Sequence, residues 1–211
     1  MTASPSDVTA DAVVGVVAVV DGRAARSRRT RAAIVDAFVA LLADGDLRPT
    51  AARIAERAGI SVRALWTHFG ELDELAAAAA AEVLARQDAS FTPVDPLLPL
   101  GPRVAAFCRQ RARLLESVGP YARASQLQEA FSPQLRAYHR LHVERVVAEC
   151  RTLFADVLRQ RSTAETEALL AALAATCTWG AWATLRDDLG LSPARARSVL
   201  QRSVTALLAP P

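Results

Sequence analysis

Lysine is absent from this 211-residue sequence, so all 25 of its Lys-plus-Arg positions are arginine. Any contact with phosphate groups must therefore come from guanidinium side chains, which can bind two oxygen atoms at once. Cysteine is also scarce. Cys108, Cys150 and Cys177 are widely spaced and lie in apolar surroundings, which argues against a disulfide framework and against a zinc site. We expect three buried free thiols.

The sequence also lacks an apolar run long enough to span a bilayer. The only suspect, residues 12–20, is too short, and Asp7 and Asp11 precede it where a secretory signal would carry positive charge. We therefore interpret residues 1–24 as a flexible arm and expect a cytoplasmic protein with no membrane partner. Apolar residues make up 52% of the chain, which is ample for a buried core.

Hydrophobic periodicity predicts an all-α fold without strands. Ile34, Phe38 and Leu41 recur at helical spacing on one face of a first helix, and a fourth helix is expected to begin near Leu72. Residues 90–102 contain four prolines and are interpreted as a linker. After this linker we expect helices over residues 103–118, 121–130, 133–160, 163–188 and 193–209.

The second and third predicted helices are joined through Gly59 in a helix-turn-helix pattern. Thr50 and Ser61 can cap these helices by accepting backbone N–H groups, and Gly59 can adopt the positive φ of a tight turn. Leu65 and Phe69 then face the first helix. The outer face carries the residues that a recognition helix would present to the major groove of DNA, namely Ser61, Val62, Arg63, Trp66 and His68.

A basic block precedes the hydrophobic pattern of the first helix. Residues 22–31 contain five arginines and no acid. This composition is the footprint of a nucleic-acid-binding arm, although a solvated tail has the same composition. Arg28, Arg29 and Thr50 are therefore further candidate DNA contacts.

Residues 50–75, TAARIAERAGISVRALWTHFGELDEL, resemble the TetR family of bacterial transcriptional regulators, and the resemblance extends over residues 26–84. It implies a DNA-binding domain over residues 25–71 and a helical effector-binding and dimerisation domain over residues 72–211. It further implies a homodimer that binds a palindromic double-stranded DNA operator. Such a protein is most often a repressor that a small molecule releases from DNA.

Several positions depart from the family pattern. Trp66 stands where tyrosine is usual, and its indole N–H keeps a phosphate contact available. Arg63 and Ala64 replace the usual glycine and threonine, which adds a side chain that can reach guanine or phosphate. Leu72 replaces a phosphate-binding lysine. We expect Arg63 and the arginines of residues 26–31 to compensate for that lysine.

The helical body is expected to carry the dimer interface and an effector site. Residues 169–185 are apolar or small nearly all round, so that helix must be covered on more than one side. The last two helices would form the interface; a monomer whose last helices merely close the core is the alternative. Candidate effector contacts, each of which could also be plain core, are Phe107, Arg111, Tyr121, Leu127, Phe131, Tyr138, His142, Trp179 and Trp182. Their aromatic members favour an apolar or amphipathic effector.

We predict no catalytic, cofactor or metal site. A Gly-rich phosphate loop would need a preceding strand, and the pair His139 and His142 lacks an identifiable third ligand. These histidines are interpreted as a surface residue and a wall of the effector pocket. A DNA-binding regulator without an effector is the nearest alternative, and an all-helical enzyme is a more distant one.

Overall fold

The computed structural model describes the backbone of residues 8–210 and the side chains of residues 22–210. Over that range every regular element is helical, which confirms the all-α fold class. The elements are α1 (Val8–Ala43), α2 (Ala51–Arg57), α3 (Val62–His68), α4 (Leu72–Ser90), α5 (Leu100–Glu129), α6 (Pro133–Leu153), α7 (Ala155–Leu158), α8 (Thr163–Thr176), α9 (Trp179–Ala183), a π-helical turn (Thr184–Asp188) and α10 (Pro193–Leu207).

The chain forms two compact units, the head up to Ala79 and the body from Ala80 onward. This boundary lies inside α4, whereas the sequence suggested a domain boundary at the start of that helix. The backbone is helical from Val8 onward, so α1 includes most of the segment that we interpreted as a flexible arm. Residues 1–7 of that segment lie outside the described residues.

The core of the head forms where α1, α2 and α3 meet. Ile34 and Leu42 of α1, Ile54 of α2 and Leu65 of α3 are almost fully buried, as is Phe69 directly after α3. A seven-residue helix such as α3 is far too short to persist alone in water, so tertiary packing of its apolar side must hold it in place.

The body has a separate core. Phe107 of α5 meets Phe154 edge to face, with ring centroids 5.6 Å apart. Cys108, Cys150 and Cys177 are free and buried, as the sequence predicted. Burial raises the pKa of the Cys108 and Cys177 thiols to about 12, so these thiols are protonated and unreactive at neutral pH.

The predicted break near residue 120 is wrong, because α5 continues through Pro120 as one helix of 30 residues. Proline removes one backbone hydrogen bond and would ordinarily break a helix. Here Val118 and Ala124, on either side of the proline, are buried. Their burial holds the segment helical despite the missing bond.

Two predicted long helices are each divided. The helix expected over residues 133–160 is interrupted at Phe154, whose ring is fully buried. The helix expected over residues 163–188 is interrupted at Thr178, whose hydroxyl accepts a hydrogen bond from Ala181 N and so caps α9. Both interruptions redirect the chain at side chains with local roles that periodicity does not reveal.

Among the described helices, none is by itself both long and apolar enough to cross a membrane. The bent pair Thr163–Thr176 and Trp179–Asp188 meets that length and composition test only when its two segments, 49° apart, are taken together.

Candidate nucleic-acid interface and candidate effector cavity

The turn between α2 and α3 is fixed by caps at both helices. The Thr50 hydroxyl accepts a hydrogen bond from Arg53 N at 3.4 Å, and the Ser61 hydroxyl accepts one from Ala64 N at 3.1 Å. Gly59 adopts a φ of +68°, a region that favours glycine. The turn between the two helices therefore follows from local features that the sequence already indicated.

The two sides of α3 have opposite character. Leu65 is fully buried on the inner side, whereas Val62 and Trp66 are 38% and 41% exposed on the outer side. Ser61 and Arg63 are also exposed, and His68 is half-buried. An exposed tryptophan beside an exposed arginine gives this face both an apolar plate and a charged donor. We call the set Ser61, Val62, Arg63, Trp66 and His68 the reading face.

The arginines of the head fall into two groups. Arg28, Arg29 and Arg63 are exposed, and their guanidinium groups have no hydrogen-bond or ion-pair partner among the described residues. In contrast, Arg53 and Arg57 of α2 are paired with acids of the preceding loop: Arg53 Nη1 lies 2.5 Å from Asp46 Oδ2, and Arg57 Nη1 lies 2.5 Å from Asp44 Oδ2. The unpaired group is thus available to an external anion, whereas the charges of the α2 pair are already compensated within the head.

Arg31 belongs to the paired group, although its position in the basic block suggested a phosphate contact. Its Nη1 donates a hydrogen bond to the His68 carbonyl at 2.6 Å, and its Nη2 donates one to Glu74 Oε1 at 3.2 Å. The guanidinium carbon lies 3.9 Å from the centroid of the Phe69 ring. Within the block of residues 26–31, Arg31 thus already has partners in the head, whereas Arg28 and Arg29 have none among the described residues.

Glu74 completes this arrangement at the start of α4. Its Oε2 accepts a hydrogen bond from Gly70 N at 2.8 Å. The Gly70 N–H, together with the Arg31 guanidinium, holds the pKa of Glu74 below its usual value. The sequence did not indicate this role, since nothing local relates residue 31 to residue 74.

The body contains a mainly apolar cavity with about 700 Å³ of empty space, including its opening to solvent. Its walls are formed by residues of α4, α5 and α6 and of the segment around Thr178. Four of the predicted effector contacts line it, namely Tyr121, Tyr138, His142 and Trp179. Wall residues that the sequence did not indicate include Val83, Leu84 and Gln87, which recur at helical spacing on α4.

Five predicted effector contacts lie away from this cavity. Phe107 is packed in the core against Phe154, and the indole N–H of Trp182 donates to Glu116 Oε1 at 2.8 Å. Buried Arg111 is ion-paired with Glu149. Leu127 is 46% exposed and Phe131 is 85% exposed. These residues are on or next to the predicted helices, but periodicity did not indicate which side of each helix faces the cavity.

The polar groups of the cavity wall are mostly uncharged at neutral pH. Burial and, after it, the nearby Arg111 guanidinium lower the pKa of His142 to about 4. Burial raises the pKa of Tyr121 against the opposing effect of the Ser125 hydroxyl. His139 Nδ1 lies 3.0 Å from Glu129 Oε1, so this acid has a partner. Such a wall suits an uncharged or weakly polar molecule.

One glycine shapes the cavity wall. A Cβ atom placed on Gly119 would lie 3.0 Å from Cη2 of the Trp179 ring, closer than ordinary carbon contacts. The absence of a side chain at residue 119 therefore lets the indole, itself part of the wall, lie directly against α5. The sequence did not indicate this close approach, because Gly119 lies in the predicted break between residues 118 and 121.

Comparisons with known proteins bear on the fold. No family model matches the chain, and no curated protein matches its sequence. A transcriptional regulator from Rhodococcus sp. Rha1 has a similar structure, with a TM-score of 0.64 and 21% identity over 86% of this chain and 95% of that one. A protein from Mesorhizobium loti assigned to the TetR family of transcriptional regulators gives a TM-score of 0.64 and 20% identity, over 87% of this chain and 96% of that one.

The multidrug binding protein EbrR, solved in complex with imidazole, is also similar, with a TM-score of 0.57 and 24% identity over 86% of this chain and 96% of that one. These likenesses define the architectural class, an all-helical regulator fold with an N-terminal helix-turn-helix. More particularly, the chain has the fold of the TetR family, and the resemblance stated from the sequence is confirmed at that level.

Proposed function

We propose that this protein is a DNA-binding transcriptional regulator, most simply a repressor that a small apolar or amphipathic molecule releases from a palindromic operator. The observation that carries the proposal is the reading face: a short helix, fixed by two caps and a buried Leu65, exposes Trp66 beside Arg63, whose guanidinium has no partner among the described residues. A regulator of this kind would act in the cytoplasm, where the DNA is.

Each predicted DNA contact has a chemical role under this proposal. Arg63 would donate to a guanine edge or a phosphate, and Val62 would contact a thymine methyl group. Arg28 and Arg29 would bind backbone phosphates from α1. The hydroxyls of Thr50 and Ser61, the indole N–H of Trp66 and the imidazole of His68 would also donate to phosphate. Binding should then be strongly salt-dependent because arginine–phosphate contacts release counterions.

Homodimerisation through the last two predicted helices, residues 163–188 and 193–209, is part of the proposal. α8 buries Leu169, Leu170 and Leu173, yet Ala168 and Ala171 on the same helix are exposed. On α10, Val199 is 38% exposed. Small and apolar exposed residues on these helices suit a second copy of the chain. A dimer would place two reading faces about 34–36 Å apart, one turn of B-DNA.

The cavity of the body is proposed as the effector site. Tyr121, Tyr138, His142 and Trp179 would contact the effector, and the segment of α4 that follows Ala79 supplies Val83, Leu84 and Gln87 to the same wall. The structurally similar EbrR is a multidrug binding protein. A coupling of about 1–3 kcal/mol between effector and DNA would suffice for regulation, and α4 is the proposed transmitter.

The proposal is tested by selecting duplexes from a random-sequence DNA pool with the purified full-length protein. We expect enrichment of a palindromic sequence, bound by two copies of the chain in sedimentation velocity. Failure to enrich any sequence at low salt would overturn the DNA-binding proposal. If no compound of a chemically diverse apolar library releases the selected DNA, that result would favour a regulator without an effector. Turnover of a library compound would revive the enzyme alternative.

A further inference from the structure

We propose that Arg31 and Glu74 act as positioning residues that hold α3 in its DNA-binding orientation, and that Arg31 is not a phosphate ligand. This inference rests on the proposed DNA-binding function. We call the arrangement of Arg31, His68, Phe69, Gly70 and Glu74 the clasp. All five residues belong to the head.

Arg31 uses its hydrogen-bonding edge and its flat face at once. One nitrogen donates to the carbonyl of His68, the last residue of α3, at 2.6 Å. That carbonyl is among those that a helix leaves without an internal partner. The flat face lies 3.9 Å from the centroid of the buried Phe69 ring. An arginine held in this way is poorly placed to donate to an external phosphate as well.

Glu74 links the same arginine to the turn between α3 and α4. One carboxylate oxygen accepts from Arg31 and the other accepts from Gly70 N at 2.8 Å. Gly70 lies between Phe69 and the start of α4, so α1, the end of α3 and the first turn of α4 meet at one ion pair. Breaking that pair would loosen the end of the reading face that bears His68.

The clasp reverses the effect on DNA binding that is expected from neutralising a carboxylate. A carboxylate near a DNA-binding surface repels phosphate, so neutralising it should ordinarily strengthen binding. Under the clasp, neutralising Glu74 should weaken binding instead, because α3 loses a restraint. Glu71 provides a matched control: it carries the same charge in the same turn, and its side chain has no partner among the described residues.

The test measures the affinity of full-length variants for a labelled duplex that the wild-type protein has selected from a random pool. We expect Glu74→Gln to weaken binding by about threefold, a modest loss that suits an exposed ion pair. Glu71→Gln should leave binding unchanged or strengthen it. Equal or tighter binding by Glu74→Gln would overturn the inference. If the wild-type protein selects no duplex at all, it is the proposed function that fails.

The salt dependence of binding separates positioning from phosphate contact. A lost phosphate ligand lowers the slope of log K against log salt by about 0.9. We expect Arg28→Ala to show that decrease and Arg31→Ala to weaken binding by about tenfold with an unchanged slope, as loss of a charged hydrogen bond without loss of a phosphate contact requires. A decrease in slope for Arg31→Ala would contradict the clasp.

Arg31→Lys guards against a variant that merely fails to fold. Lysine keeps the positive charge but lacks the flat fork that serves two acceptors. A phosphate contact would be rescued by lysine, whereas the clasp would not. We therefore expect Arg31→Lys to bind as weakly as Arg31→Ala while its circular dichroism spectrum and melting temperature stay close to those of the wild type. Restored wild-type affinity would overturn the inference.

Discussion

Three arginines of the head and two arginines of the body lie in opposite surroundings. In the head, Arg28, Arg29 and Arg63 are exposed and have no partner among the described residues. In the body, Arg103 and Arg111 are buried and paired with Asp156 and Glu149. A buried charge must be compensated inside the fold, whereas an unpaired surface charge can meet a charge from outside. Under the proposed function, the three exposed arginines of the head are available to DNA phosphates, whereas Arg103 and Arg111 each join α5 to another helix of the body.

The strongest test of this contrast removes a buried arginine. Arg111→Ala leaves the Glu149 carboxylate, which is only 16% exposed, without its ion pair, and loss of one partner of a buried pair costs about 3–5 kcal/mol. We expect the free energy of unfolding in urea at pH 7 to fall by about that amount. Arg109→Ala, on the exposed side of the same helix, should change it by less than about 0.5 kcal/mol.

The pH dependence of this loss identifies its cause. Burial raises the pKa of Glu149, and the Arg111 guanidinium opposes that rise. Without Arg111, the folded carboxyl should take up a proton at a higher pH than the unfolded one. The variant should therefore regain part of its lost stability as the pH falls from 7 towards 5. A loss that does not depend on pH would mean that the bulk of the arginine side chain matters and its charge does not.

Within the head, Arg63→Ala and Arg53→Ala test whether ion pairing decides which arginines bind DNA. Both side chains are exposed, but Arg53 is paired with Asp46. We expect Arg63→Ala to weaken binding to the selected duplex by about tenfold and to lower its salt slope by about 0.9, because a free donor to DNA is lost. Arg53→Ala should change binding by less than about twofold, the size of a surface ion pair. Equal losses for the two variants would show that pairing does not decide which arginines bind DNA.

The same contrast explains what the sequence could predict. Thr50 and Ser61 each cap a helix through an amide three residues away, so the local sequence predicts their roles. Arg31 depends on Glu74, 43 residues further on, and no local pattern relates the two. In the body, α5 continues past Pro120 although the local sequence predicts a break there. Helix periodicity therefore predicted the helices of the head and the exposed side of α3, but it missed helix boundaries in the body and indicated only part of the cavity wall.

His142 tests whether the cavity wall is uncharged. Burial, aided by Arg111, holds its pKa at about 4, below the value of an unfolded histidine. The folded state therefore resists protonation, and this residue alone should lower the free energy of unfolding by about 2 kcal/mol between pH 7 and pH 5. His142→Gln should remove that part of the pH dependence. His139→Gln, which alters a partly exposed residue beside Glu129, should retain it.

Two glycines, one in the head and one in the body, are required for different reasons. In the head, Gly59 has a φ of +68°, and no atom beyond the adjacent residues lies within 4 Å of the position that a Cβ would take, so Gly59→Ala meets backbone strain alone. In the body, a Cβ on Gly119 meets the Trp179 ring at 3.0 Å. Each substitution should lower the free energy of unfolding by about 1–2 kcal/mol.

Tryptophan fluorescence distinguishes the two causes, even where the losses of stability are equal. Gly119→Ala must push the Trp179 indole away from α5. This movement changes the surroundings of the indole, so the emission spectrum should shift. It also changes the shape of the cavity, so any compound that releases DNA should bind more weakly. Binding to the selected duplex should be nearly unchanged. Gly59→Ala should show the reverse, a weakened duplex affinity with no change in compound binding, because the strained turn carries α3. If Gly119→Ala impaired DNA binding as strongly as Gly59→Ala does, the assignment of DNA binding to the head and of compound binding to the body would be wrong.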